Sequence, residues 1–158
     1  GAQLIPIELP KLPVEAMNIT LSAEAAAAFD ELTLSGKDDL LVRQIKNAWP
    51  NAFRSARFIP AVEFIQAHRA RYLLVQEMGK LMSDVDIYVA PSFGGNNLLL
   101  TNLSGHPCVV VPNGFNAKGS PVSLTFVGKL YDEATLLAVA KIYQDATEFH
   151  LKHPAMNF

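Results

Sequence analysis

Apolar positions along this chain fall into two kinds of pattern. In some stretches they recur every three or four residues, the spacing of one helix face; in others they crowd into short runs bounded by Pro, Gly and Asn, the habit of buried strands. From Val14 to Leu34 the pattern is helical, with Ala16, Ile19, Ala23, Ala26, Ala27 and Phe29 to Leu32 giving a dense apolar face. The alanine run Ala25 to Ala28 adds helix propensity and offers a surface that another backbone can approach closely. Gly36 is a stop, and Asp38-Asp39 are placed to cap a second helix running through Val42 and Ile45 and ending before Pro50. The aromatic and proline-rich segment Trp49 to Pro60 reads as a connecting loop or a short helix. Pro60 then suits the first turn of a long helix, Ala61 to Ser83, in which Val62, Ile65, Leu73, Val75 and Met78 alternate with charged Arg69, Arg71, Glu77 and Lys80.

The strand-like runs are shorter. Leu4 to Leu9 alternates between Pro6 and Pro10 and predicts an edge strand; with Gly1-Ala2 as the turn before it, the chain reads as cut from something longer. Asp84 to Ala90, Pro107 to Val111 and Val122 to Val127 predict three more strands, and Asn113-Gly114 with Lys118-Gly119 supplies turn residues that make the last two an antiparallel pair. Asp132-Glu133 opens a final helix whose Leu136, Leu137, Val139, Ala140 and Tyr143 form the apolar face, with fraying after His150. The order β, α, α, α, β, loop, β, β, α predicts an α/β fold with a mixed β-sheet flanked by helices. A length of 158 residues, 50% of them hydrophobic, predicts a single domain over 1–158.

A formal charge of −2, with Lys and Arg scattered, provides no electrostatic footprint for nucleic acid or an anionic membrane, so neither is expected as a direct partner. No apolar run approaches the roughly 18 residues of a membrane span and no secretory pattern is present, so the expected location is cytoplasmic. Cys108 sits inside the run Cys108-Val109-Val110-Val111 and predicts a buried structural thiol. The sequons Asn18-Ile19-Thr20 and Asn102-Leu103-Ser104 are read as chance matches.

The segment from Asp86 to Thr147 carries more specific information. Its strand ends in Ala90-Pro91-Ser92; then come Asn102-Leu103-Ser104-Gly105-His106-Pro107, a strand closed by Val111-Pro112-Asn113-Gly114-Phe115, Gly119-Ser120-Pro121, a strand ending at Gly128, and a helix opened by Asp132-Glu133. In this order the elements resemble the C-terminal end of amidase signature hydrolases, a family that includes amidases and the amidase-like subunits of amidotransferases. Phe64-Ile65-Gln66-Ala67-His68-Arg69-Ala70-Arg71 is similar to the helix that precedes the final strands in those enzymes. The resemblance implies the C-terminal part of the amidase signature fold. Its members carry their chemistry on a Lys and two Ser, one of them in a Gly/Ser-rich run, and need no metal or organic cofactor. Here the serines are isolated, and Gly94-Gly95 is followed by asparagines.

The chain is therefore expected to lack catalytic residues of its own. Its expected role is to supply sheet scaffold and one wall of a pocket to a larger amidase, and to be inactive alone. Its expected partners are the missing N-terminal portion of the same enzyme and, in the complete enzyme, a small amide substrate. Apolar surface left uncovered also predicts self-association through Ala25 to Ala28 or the outer strands. A different class of function, a stand-alone binding or assembly module derived from the same fold, is the alternative.

The strongest binding candidate is Phe93, Gly94, Gly95, Asn96 and Asn97, because the segment follows the C-terminal end of a strand, where α/β sheets gather ligand loops. Phe93 offers apolar surface, the glycines let backbone approach a ligand, and the asparagines present donors and acceptors; the competing reading is a polar turn capping the next helix. Arg57, with Arg54, could clamp a substrate carboxylate or instead pair with Asp38-Asp39 or Glu63. Asn102 and Thr101 lie on an apolar run and predict a buried amide bonded to loop backbone. His106 has no sequence-adjacent carboxylate to orient it, and His150 with His153 lacks a third metal ligand. Where many similar enzymes read P-x-G-L-Q, this chain has Pro121-Val122-Ser123-Leu124-Thr125. The segment Gly95 to Asn97 also offers no acid, which favours a general amide hydrolase over a glutaminase.

Overall fold

The computed structural model describes residues 2–154. Gly1, assigned above to a turn, lies outside them. The chain divides into two compact units, one formed by Leu12–Leu73 and the other by the segments on either side of it.

The Leu12–Leu73 unit is helical. The predicted helix from Val14 to Leu34 forms as a 3-10 turn, Ala16–Asn18, followed by α1 (Ile19–Ala28) and α2 (Asp30–Leu34), with a break at Phe29. Of the alanine run only Ala26 is buried, while Ala27 and Ala28 are exposed. The second predicted helix does not form. Lys37–Leu40 makes one 3-10 turn, after which the chain leaves helical geometry and Val42 is fully exposed. Pro50, expected to stop a helix, instead lies in the first turn of α3 (Trp49–Ala56), where its missing N–H is not needed. α3 packs on α1 and α2, and Phe53 stacks between Phe29 at 4.9 Å and Trp49 at 5.5 Å between ring centroids.

Ion pairs tie α3 to its neighbours. Arg54 reaches Asp38 Oδ2 and Asp39 Oδ1, each at 2.5 Å, and Arg57 pairs with Asp30. Asp38 is only 2% exposed, and no donor aligns on its Oδ2 as a hydrogen bond, so its pairing with Arg54 is ionic. The 3-10 turn is thus held against α3 by a buried charge, with Gln44 Nε2 donating to the Asp38 carbonyl at 2.8 Å.

Helix α4 (Ala61–Asp84) forms with the predicted length but buries a different stripe. Val62, Ile65 and Leu73 are exposed, whereas Ala67, Leu74, Met78 and Met82 are buried. Spacings of seven, four and four residues keep those four on one face, so the covered side is the one rich in Met and Ala.

The second unit holds the sheet. β1 (Ile87–Pro91), β2 (Cys108–Phe115) and β3 (Pro121–Gly128) are ordered β1-β3-β2, with β3 central and both pairings antiparallel. The helix-flanked sheet forms as expected, but its described strands are all antiparallel where a mixed sheet was predicted. The tight Asn116–Ser120 connection produces one antiparallel pair, and β1 then adds to the free edge of β3 in the same sense. Leu4 to Leu9 forms no strand: prolines interrupt its N–H groups and no described strand pairs with it. Between β1 and β2, where the sequence predicts a loop, lies the helix α5 (Asn97–Ser104), ending at Gly105.

Side chains alternate across the sheet. Val109, Val111, Leu124 and Phe126 face α6 (Glu133–Thr147), which covers them with Leu136, Ala140 and Tyr143. Leu137, also placed on the apolar face of α6, is exposed. Tyr88, Thr125, Val127 and Cys108 lie on the other face. Cys108 is exposed, not buried as predicted, at the first position of the edge strand β2. His106 is buried at the entry to β2, with Nδ1 2.9 Å from Ser104 Oγ, and burial holds its pKa below the ordinary histidine value. Among the described residues no helix is long and apolar enough to cross a membrane.

Two outcomes follow for the purified chain. Arg54→Ala leaves Asp38 buried and unpaired and is expected to cost about 2–4 kcal/mol in urea unfolding, against under about 1 kcal/mol for Asp39→Ala at the exposed end of the same fork; equal costs would remove Asp38 from that role. For His106 the folded chain binds its proton less readily than the unfolded chain, so stability is lost as pH falls below about 6.5 toward the depressed folded value. The wild-type unfolding midpoint should drop more between pH 7 and pH 5 than that of His106→Gln, and parallel pH profiles would contradict it.

Candidate functional site

The loop after β1 is built by short-range backbone rules. Gly94 N–H donates to the Pro91 carbonyl at 3.0 Å, closing a turn over Ser92 and Phe93. A Cβ at Gly94 would lie 3.2 Å from the Pro91 ring, and Gly95 sits at φ +53°, so a side chain at either position would crowd the ring or strain the backbone. With both side chains absent, Phe93 stands 94% exposed at the tip of the turn. An apolar ring held out on a rigid turn is a contact surface for whatever packs against it.

The two asparagines have separated roles. Asn96 is exposed at the N-cap of α5, where its side chain makes no capping bond. Asn97 is 3% exposed, and its Oδ1 accepts a hydrogen bond from Tyr88 OH at 2.8 Å. Burial above all, and then the neighbouring Cys108, push the Tyr88 phenol pKa far up, so Tyr88 remains a neutral donor. Asn97 therefore anchors α5 to the sheet from below, and Phe93 to Asn96 are the part of the candidate segment that reaches the surface. Asn102, expected to be the buried amide, is exposed and donates from Nδ2 to the Leu98 carbonyl one turn back at 2.8 Å. The helical register of α5 explains the exchange, since Asn97, Leu100, Thr101 and Ser104 share its buried face.

Arg57 belongs to the helical unit and is engaged by Asp30 there. Neither Asp39 nor Glu63 is its partner; the Asp38-Asp39 pair is taken by Arg54. Beside Arg57 runs an open groove of about 620 Å³ lined by Ala23, Ala26, Ala27, Ala56, Ile59 and Phe64. Among the described residues no group of three His, Cys, Asp or Glu is placed to hold a metal ion.

A hydroxyl cluster at the root of the loop had no individual signal in the sequence. Ser123 Oγ donates to Ser92 Oγ at 2.8 Å and Thr125 Oγ1 donates to the same oxygen at 3.0 Å. The spacing of two between Ser123 and Thr125 on β3 puts both on the face away from α6, and that period was the only clue available.

No protein-family model matches the chain. Its sequence is 34% identical over 110 residues to a glutamyl-tRNA(Gln) amidotransferase subunit from Lysinibacillus sphaericus, covering 58% of this chain and 22% of that protein. It is 28% identical to the subunit of the same name from Bordetella avium, covering 98% of this chain and 38% of the relative. The chain thus spans roughly a fifth to two fifths of the length of these curated relatives. In three dimensions it superposes on the crystal structure of an amidase with a TM-score of 0.73 at 19% identity, over 89% of this chain and 37% of that one. A bacterial aryl acylamidase of the amidase signature family superposes with a TM-score of 0.70 at 16% identity, over 89% and 36%. In sequence and in fold, this chain matches a portion of the amidase signature family.

Proposed function

We propose that this chain is the C-terminal part of a larger amide-hydrolysing enzyme, in which it supplies sheet scaffold and one wall of the substrate pocket. The observation that carries the reading is the fold match over nine tenths of this chain but little more than a third of the amidases it superposes on. In the complete enzyme a serine Oγ would attack the amide carbonyl, release the amine and leave an acyl-enzyme for water to hydrolyse, with no metal or organic cofactor. The serine pair and lysine for that chemistry would come from the N-terminal portion, because every serine here stands outside a Gly/Ser-rich run.

The wall assigned to this chain is Phe93, Gly94, Gly95 and Asn96. The support is geometric: a rigid turn at the C-terminal end of β1 presents an almost fully exposed phenylalanine beside an uncommitted asparagine amide. The remaining portion of the enzyme is the natural cover for Phe93 and for the apolar side chains exposed on α4. We place the assembled enzyme in the cytoplasm. An amide hydrolase is preferred to a glutamine-using amidotransferase because the segment Gly95 to Asn97 carries no acid.

The purified chain should show no turnover of simple amides or esters. Activity that survives repurification and disappears with Ser92→Ala or Ser104→Ala would overturn the assignment of the catalytic groups to another segment. In the complete enzyme, Phe93→Ala should raise KM or change acyl preference without lowering the melting temperature, since it removes apolar contact and not the nucleophile. Unchanged kinetics across a panel of acyl groups would remove Phe93 from the pocket.

A further inference from the structure

Ser92, Ser123 and Thr125 form a closed hydroxyl trio at the root of the loop assigned above to the pocket wall. Each hydroxyl has one hydrogen, and two internal hydrogen bonds use two of the three. Both internal bonds converge on Ser92 Oγ, and with the hydrogens of Ser123 and Thr125 turned inward the third hydrogen, that of Ser92, is left to point out of the trio. Thr125 is 5% exposed, whereas Ser92 is only partly buried and directly precedes Phe93 in the chain. The donor that leaves the trio therefore leaves on the side of the loop.

Such a donor is oriented before any ligand arrives. Thr125 is held opposite Ala90 and Val110 in the sheet register, and Ser123 opposite Pro112, so the two supporting hydroxyls have little freedom. An oxygen that accepts two hydrogen bonds is polarised and becomes a better donor in turn. The trio carries no cation to offset the cost of burying a charge, which suits a neutral acceptor better than a carboxylate.

We infer that Ser92, braced by Ser123 and Thr125, is a specificity-determining donor that recognises a neutral oxygen, ether or carbonyl, in the acyl part of the substrate. The inference rests on the amide-hydrolase reading and adds to it the chemical class of acyl group preferred. Nothing is asked of Ser92 in bond breaking; it holds an acceptor already present in the ground state.

The test uses the complete natural chain that carries this segment, with butyryl and methoxyacetyl para-nitroanilide as probes of matched shape, one lacking and one bearing the acyl oxygen. Ser92→Ala should raise KM for the methoxyacetyl probe about 3- to 10-fold, the loss of one neutral hydrogen bond, with kcat and the butyryl KM little changed. Ser92→Thr, which keeps the hydroxyl, should restore the preference. Thr125→Val should show part of the same loss and add little to Ser92→Ala in the double variant, because the two act as one unit. If the enzyme hydrolyses both probes and Ser92→Ala alters neither KM, or alters both alike, the role of the trio is overturned and the hydrolase reading stands. If the complete chain hydrolyses no amide in any form, both are overturned.

Discussion

Antiparallel pairing along both edges of β3 is the constraint on which the sheet-bearing unit depends. Side chains alternate with a period of two, so once β3 is in register with β1 and β2 each paired residue before the irregularity at Pro112–Phe115 is committed to one face. Leu124 and Phe126 are sent toward α6, where they join Val109, Val111, Leu136 and Ala140 in the apolar core. Ser123 and Thr125 are sent the other way, into reach of Ser92. A slip of one residue would bury the hydroxyls under α6 and strip the core of its aromatic ring. Core and hydroxyl trio are therefore consequences of one register.

Polar anchoring does for the loop what apolar packing does for the sheet. The Tyr88–Asn97 hydrogen bond joins the second residue of β1 to the first turn of α5, and the loop from Ser92 to Asn96 connects the far end of the strand to that helix. An unmet phenol or amide at that depth would cost about 1–3 kcal/mol, so the pair is held together firmly. With both ends of the loop fixed, Gly94 and Gly95 decide its path and Phe93 is left at the tip. The helical unit uses charge in a comparable way, with the buried carboxylate of Asp38 reaching out to Arg54 on α3.

Legibility in the sequence followed the range of the interactions. The long helix, the last helix and three of the strands were readable because their apolar spacing is local, and the ordered run from Pro91 to Asp132 pointed to the amidase signature fold. Which face of α4 is buried was not readable, since apolar residues lie on several of its sides and only neighbours select among them. Helix α5 was hidden by its asparagines and its eight-residue length, which read as a loop. The stop assigned to Pro50 failed because proline ends a helix from within but starts one from its first turn, and spacing alone does not say which.

By itself the sequence determined the long helix, the last helix and the three strands of the sheet, together with the likeness to part of an amidase. Those are properties of neighbouring residues, and periodicity or motif order reports them directly. Tertiary structure alone decided that Asn97 is buried and Asn96 exposed, that Arg57 is paired with Asp30, and that serines 31 positions apart share a hydrogen bond. Each of those outcomes depends on a strand register or a helix rotation, which long-range packing sets and no local pattern encodes.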